Sequence, residues 1–377
     1  MLEQKYVNAL NYILSYVKGV FKVFIFRGRR KWLLLFLAGV LIFIVSGAAP
    51  DVTESVYSRN VYVVIRGFQA ITTSWAGFSI AEILLFGLCA YVVSVAVRAI
   101  LMRPKYTIPG VLLHFCSIAA VFCFLFVALW GINYNRLPFA ETAGISVREY
   151  TASELNEVCV ELINRANSLR GFVAVDEEGN VALPGGKDGV LDKSWREYDG
   201  VKGRYPTLDV RYSRPKPVLL SEVMSFAGIT GVYAVHTGEA NVNINVGALE
   251  LPFTACHELA HQAGYAREDE ANFISWLVCD QSSSAEFRYS GNFIAMIYAL
   301  NSLREADESK WTQARALCSE AVNRDLKMHG QFWEKYEGPA REISTAVNDT
   351  FLKIYQQEEG VRSYGRMVDL LIAYLQQ

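Results

Sequence analysis

His257-Glu258-Leu259-Ala260-His261, continued by Gln262-Ala263-Gly264, decides how the C-terminal two thirds of this chain folds. Residues four apart on an α-helix share a face, so His257 and His261 can present both imidazoles to one ion. Two imidazoles and a carboxylate, with one position left open, form a donor set that suits Zn2+. Glu258 follows the first ligand and projects beside such an ion rather than onto it. There it can take a proton from a water attacking a carbonyl and pass it to the leaving amine. The competing explanation is coincidence on an amphipathic helix. With only five histidines in the chain, two falling four apart with Glu in the second position is rare by chance.

A third ligand is needed, and the following residues supply candidates. Gly264 suits the end of a helix, Tyr265-Ala266-Arg267 a short turn, and a second helix is expected from Glu268 through Asn272, Phe273, Trp276 and Leu277. Acidic residues are favoured at a helix start by the dipole alone, so Glu268, Asp269 and Glu270 have a purely structural explanation too. Glu268-Asp269-Glu270-Ala271-Asn272 nevertheless resembles the glutamate helix of gluzincin metallopeptidases, in which a Glu ligand is followed three and four residues later by Ala and Asp or Asn. That resemblance implies Glu268 as third ligand and Asn272 as the partner that orients a histidine. Glu270 is the alternative third ligand. The spacing from His261 to Glu268 is shorter than in most gluzincins. The run His257 to Gly264 is also similar to the metzincin motif, but Arg267 stands where that family has its third ligand.

A wider likeness covers most of the chain. Trp130-Gly131-Ile132-Asn133-Tyr134, Thr237-Gly238-Glu239-Ala240-Asn241-Val242-Asn243, Leu251-Pro252-Phe253-Thr254, Glu270-Ala271-Asn272-Phe273 and Ser363-Tyr364-Gly365 carry it. They resemble an uncharacterised bacterial membrane-protein family, a domain of unknown function (number 3810), grouped with zincin-like peptidases. The resemblance implies an architecture and a hydrolase class, without a substrate.

Ahead of this region the chain turns apolar. Segments from about 32 to 49, 80 to 102 and 108 to 130 are each long enough to cross roughly 30 Å of hydrocarbon. Lys5, Lys18, Lys22, Arg27, Arg29, Arg30 and Lys31 precede the first, and Arg98, Arg103 and Lys105 lie around the junction of the second and third. The positive-inside rule puts both basic clusters in the cytoplasm, and three crossings then leave everything after Asn133 outside it. Tyr6 to Phe26 suits an interfacial helix. Val56 to Ala70 is semi-apolar, with Arg59 and Arg66, and suits the outer surface better than a crossing.

Composition agrees with a hybrid: 52% of residues are hydrophobic, too many for most soluble enzymes, while 20% are charged, too many for a bare membrane bundle. A net charge of −2 supplies no basic field for nucleic acid. The seven cysteines show no CxxC spacing and no disulfide framework.

The region after the spans is expected to be mainly helical. Helices are predicted over about 146–169, 293–303, 310–327, 339–354 and from Ser363 onward, with a loop-like stretch from Gly171 to Arg214. Asn241-Val242-Asn243-Ile244-Asn245-Val246 alternates as a strand, either half-buried or an edge that pairs with an extended peptide. Charge on an attacked carbonyl usually needs a donor besides the metal. Tyr289, in the polar stretch Glu286 to Gly291, is the first choice, with Tyr233, His236 and His329 behind it. Cys256 points about 100° away from His257 around the helix and is a poor ligand; Cys279 suits a small buried hydrophobe. His114, inside the third span, is expected to pack or to hydrogen-bond.

Together these observations predict an α-helical membrane region of three transmembrane helices (1–134) followed by a mainly α, α+β zincin-like metallopeptidase domain with a small sheet (135–377). The expected protein is a multi-pass component of the bacterial cytoplasmic membrane with its catalytic domain extracytoplasmic. It would hydrolyse peptides or proteins near the bilayer surface by a water that zinc activates and Glu258 deprotonates. A zinc amidohydrolase acting on non-peptide amides and a non-catalytic membrane scaffold are the alternatives.

Overall fold

The computed structural model describes residues 29–101, 108–355 and 366–376. The expected interfacial helix at Tyr6 to Phe26 lies outside the described residues, as do Arg103, Lys105 and Ser363 to Gly365. The chain divides into two compact units, Met1–Ala48 with Leu85–Gly131, and Ala49–Leu84 with Ile132–Gln377.

In the first unit, α1 (Arg29–Gly47) packs against a later apolar helix, Ile108–Leu129, with Gly39 letting the Phe124 backbone come close. Ile80–Leu101 and Ile108–Leu129 are each long and apolar enough to cross a membrane. A third crossing is added if Leu34–Gly47 and Pro50–Thr73 make one bent span. His114 has a partner here: its Nε2 lies 2.5 Å from the Tyr91 hydroxyl.

The second unit opens with a short helix (Pro50–Val52) and a π-helical stretch (Thr53–Val61), which lead into α2 (Tyr62–Thr73). Next comes α3 (Ile80–Leu101), whose first turn belongs to this unit. Glu82 there is buried and accepts the backbone N–H groups of Leu219 and Leu220 at 2.9 and 2.8 Å. In exchange, the Glu239 carboxylate accepts the N–H groups of Ile80 and Ala81, the orphan donors of a helix N-terminus. Helices α4 (Ile108–Leu129), α5 (Ala152–Arg170) and α6 (Gly186–Glu197) follow. A reciprocal capping box between Thr151 and Glu154 starts α5. The loop expected across 171–214 thus contains a helix. Its Gly-Gly start and mixed polarity hide it in the sequence, while burial of Val190, Leu191 and Ser194 sustains it.

A small sheet lies ahead of the histidine helix. It is built from β1 (Lys216–Pro217), β2 (Gly231–Ala234) and β3 (Glu239–Val242), in the order β1-β3-β2, with α7 (Ser221–Phe226) between the first two. β3 runs parallel to β1 and antiparallel to β2. The idea of Asn241 to Val246 as a peptide-pairing edge fails on two counts. The strand stops at Val242, and both of its sides are taken. Beyond Val242 the Asn243 N–H still donates to the Thr230 carbonyl, and the side chains of Asn243 and Asn245 bond Ser225, Ile229 and Tyr336. Among the described residues the edge strand on that side is β2.

The core gathers around α8 (Leu251–Gln262), α9 (Glu268–Asp280) and α10 (Ala285–Ala306). All twelve residues of α8 are buried, and Pro252 occupies a first-turn position where its missing N–H costs nothing. Trp276 of α9 is wholly buried between the rings of Phe273 and Tyr374, 5.5 and 5.6 Å away. Truncating such a side chain to Ala costs about 3–5 kcal/mol. α11 (Glu308–Arg315) and α12 (Glu320–Glu334) replace the single helix expected over 310–327, because Ser319 starts a new helix by accepting from the Val322 N–H. α13 (Pro339–Ile354) and α14 (Met367–Leu375) end the described chain.

Candidate metal centre

α8 and α9 meet through five residues, Ala263 to Arg267. Gly264 turns the chain with φ of 88°, a conformation that side-chain-bearing residues rarely adopt. A Cβ at that position would also meet the Tyr62 ring at 2.9 Å. The reversal brings the start of α9 onto the histidine face of α8. Ligand atoms of His257, His261 and Glu268 all lie within 4.8 Å of one another. Glu268 Oε2 is 3.3 Å from His257 Nε2 and 3.6 Å from His261 Nε2. Ligands about 2.05 Å from a tetrahedral zinc lie about 3.3 Å apart, so the spacing fits that ion. Glu270, the alternative ligand, accepts from the Phe139 N–H at 2.7 Å.

The tautomer of His261 follows from its partner. Nδ1 lies 2.7 Å from the Tyr265 carbonyl, which can only accept, so Nδ1 carries the proton and Nε2 faces Glu268 with a lone pair when the ring is neutral. His257 Nδ1 is buried with no hydrogen-bond partner. Burial opposes charge on His261, but the Glu268 carboxylate overrides it and lifts the imidazole to about 9. Burial likewise favours the neutral form of Glu268, yet the two imidazoles hold its carboxyl far below the ordinary range. A metal ion would take over from those protons, since a ligating imidazole must be neutral.

Glu258 has a different environment. Its Oε2 is buried without a partner, and burial lifts the carboxyl to about 7 against the pull of His257 and His261. Gly231, the first residue of β2, makes room for it. A Cβ at 231 would come within 2.6 Å of Glu258 Cγ.

Several surrounding residues carry no sequence signal for their role. Gln262 closes α8: its Oε1 accepts from the Ser213 N–H, and its Nε2 donates to Ser213 Oγ and the Gly238 carbonyl. Its own carbonyl accepts from the Tyr62 hydroxyl at 2.9 Å. Arg136, held bidentately by Glu54, stacks 4.0 Å from the centre of the Tyr265 ring and so braces the residue that orients His261. Asn272 hydrogen-bonds the Tyr298 hydroxyl. Burial and the Glu268 charge both raise the hydroxyls of Tyr298 and Tyr134, so both stay protonated. Tyr134 closes the Trp130-to-Tyr134 stretch and Tyr298 stands at no motif position, and nothing in the sequence relates either to Glu268.

The other expected donors are engaged elsewhere. Tyr289 donates to Asp325 Oδ2 at 2.5 Å, beside Arg170. Tyr233 shares a hydrogen bond with Tyr62, and His329 pairs with Glu250 at 3.3 Å. His236 is exposed. All seven cysteines are free, and Cys256 and Cys279 are buried against each other.

The class defined so far is a mostly helical protein with two or three membrane-capable helices and a largely buried His-His-Glu cluster. A family described as a protein of unknown function (DUF3810) matches residues 57–372, and the chain belongs to that family. The match takes in both the segment around α2 and the metal centre. No curated protein and no solved structure matches the chain.

Proposed function

We propose that this chain is a membrane-anchored, zincin-like zinc metallopeptidase that hydrolyses peptide bonds in polypeptides at the membrane surface. The convergence of His257, His261 and Glu268, with the unpartnered Glu258 carboxylate beside them, carries this function. A zinc ion held by the three residues would supply Lewis acidity and would lower the pKa of a water toward about 7. Glu258 takes the proton of the attacking water and returns it to the leaving amine. Tyr265 and Arg136 hold His261 in register. An extended substrate pairs along β2, whose first residue lies against Glu258, and so presents a carbonyl to the base. The basic residues before the first apolar helix and around the junction of the next two support an extracytoplasmic site.

The test uses full-length protein in lipid nanodiscs, assayed for zinc content and for cleavage of a mixed peptide library. Glu258→Gln should retain zinc and lose about 10²–10⁴-fold in cleavage rate. Zinc-free protein with both histidines intact would leave the scaffold alternative. Stoichiometric zinc without cleavage of any peptide would favour the amidohydrolase.

A further inference from the structure

The segment between α1 and α3 is inside out. Along it, Glu54, Ser58, Tyr62, Arg66, Gln69 and Thr73 point into the second unit at helical spacing, all buried. Each is bonded there: Glu54 to Arg136, Ser58 to Asn133, Tyr62 to the Gln262 carbonyl, Arg66 to Ser213, Gln69 to the Val235 carbonyl, and the Thr73 carbonyl to Lys216. The opposite face carries Val61, Val64, Phe68, Ile71, Trp75 and Phe78, spaced alternately three and four residues apart. Val64, Phe68, Ile71 and Trp75 are 63–74% exposed. A helix with water on its outer side shows the reverse pattern, and a contiguous apolar stripe marks an interaction surface.

We infer that this stripe lies in the lipid interface of the bilayer, so that the second unit sits on the membrane through the outer face of α2. The chain itself argues for lipid as the occupant. Two residues separate Gly47, the end of apolar α1, from Pro50, and one residue separates Phe78 from Ile80, the start of membrane-capable α3. At about 3.5 Å per residue, neither end of the segment can leave the bilayer surface by more than about 10 Å. Trp75 fits the same place. Its indole N–H donates to the Thr72 carbonyl at 2.8 Å, so the exposed ring needs no water partner, and tryptophan is enriched at this depth of a membrane. α2 also holds the Gln262 end of the histidine helix. That bond ties the C-terminal end of the histidine helix to α2 and so toward the lipid surface. The lipid contact is independent of whether the metal centre is catalytic.

The experiment compares full-length wild type with Trp75→Phe in nanodiscs. One set is made of phosphatidylcholine brominated on the acyl chain near the headgroup, the other of unbrominated lipid. The fluorescence that Trp75 contributes, taken by difference, should fall at least twofold in the brominated discs and be insensitive to aqueous iodide. Phe68→Trp in the Trp75→Phe background places a second reporter on the stripe and should behave the same way. Quenching of both reporters by iodide alone would overturn the inference. So would protection from both quenchers, which would mean that a second copy or another protein covers the stripe.

Discussion

Arg170, Asp325 and Tyr289 form one buried polar cluster of the second unit, and His257, Glu258, His261 and Glu268 form another. In the first, Asp325 accepts from Arg170 Nε at 2.5 Å, from Arg170 Nη2 at 3.3 Å and from the Tyr289 hydroxyl at 2.5 Å, while Arg170 also donates to the Gly179 carbonyl. These bonds tie α5, α10 and α12 together. The second cluster is somewhat less enclosed, Glu268 being part-buried; His257 Nδ1 and Glu258 Oε2 are left without partners, and three potential ligand atoms lie within 4.8 Å of one another. A satisfied buried network rigidifies a fold, whereas unsatisfied buried groups cost stability and persist where something else repays them. The difference separates a closed polar cluster from an open one, and the proposed metal site rests on the open one.

Breaking the closed cluster should have the largest effect. Asp325→Ala leaves Arg170 charged, buried and unpaired, and should destabilise the second unit by about 3–5 kcal/mol, measured by thermal or denaturant unfolding in detergent. A loss below about 1 kcal/mol would erase the distinction between the clusters. Filling the open cluster should stabilise by a similar route. Zinc added to metal-stripped protein at about a hundred times its dissociation constant should add about 2.7 kcal/mol, seen as a higher unfolding temperature. His261→Ala should abolish that gain, whereas Glu270→Gln should keep it. Equal gains in all three proteins would mean that zinc binds elsewhere.

The sequence made the candidate His-His-Glu cluster legible because its members are local. His257 and His261 lie one helical turn apart, and Glu268 follows the next turn of chain. The resemblance favoured Glu268 over Glu270, but the physical reason that separates them was not legible. It depends on how Gly264 reverses the chain and on Phe139, about 130 positions away, offering its N–H to Glu270. Tyr289 was a reasonable choice by position, but its partner Asp325 arrives from another helix. Apolar runs revealed the membrane-capable helices. Val56 to Ala70 was expected at the outer surface, but which of its faces turns inward stayed hidden because Arg59 and Arg66 made the segment look merely semi-apolar. In the fold, Arg66 turns inward to Ser213 and leaves the apolar residues outside. Gln262, Tyr62 and Gly231 act through contacts distant in sequence, which no spacing rule reports.

Gly231→Ala tests the open cluster by crowding. The added methyl must push the Glu258 side chain aside, and a displaced base should lower peptide cleavage by up to about a hundredfold with zinc binding retained. Unchanged cleavage would mean that the Glu258 position is not what sets the rate.

The smallest effect sharpens the comparison from the closed side. Glu54 ties the α2 segment to Arg136, which braces Tyr265 beneath His261. Burial alone would raise the Glu54 carboxyl, but the guanidinium groups of Arg136 and Arg59 hold it below its ordinary 4.5. A carboxyl depressed in the folded state contributes stability that is fully present above its unfolded pKa and is lost as pH falls through the folded value. Wild type should therefore be more stable than Glu54→Gln at pH 6, and the gap should close progressively below about pH 4.5. Unfolding temperatures taken from pH 6 to pH 3 check this. A gap that stayed constant across that window would show that shape, rather than the carboxylate charge, secures Arg136, and would place this tie outside the class of closed polar clusters that Asp325 exemplifies.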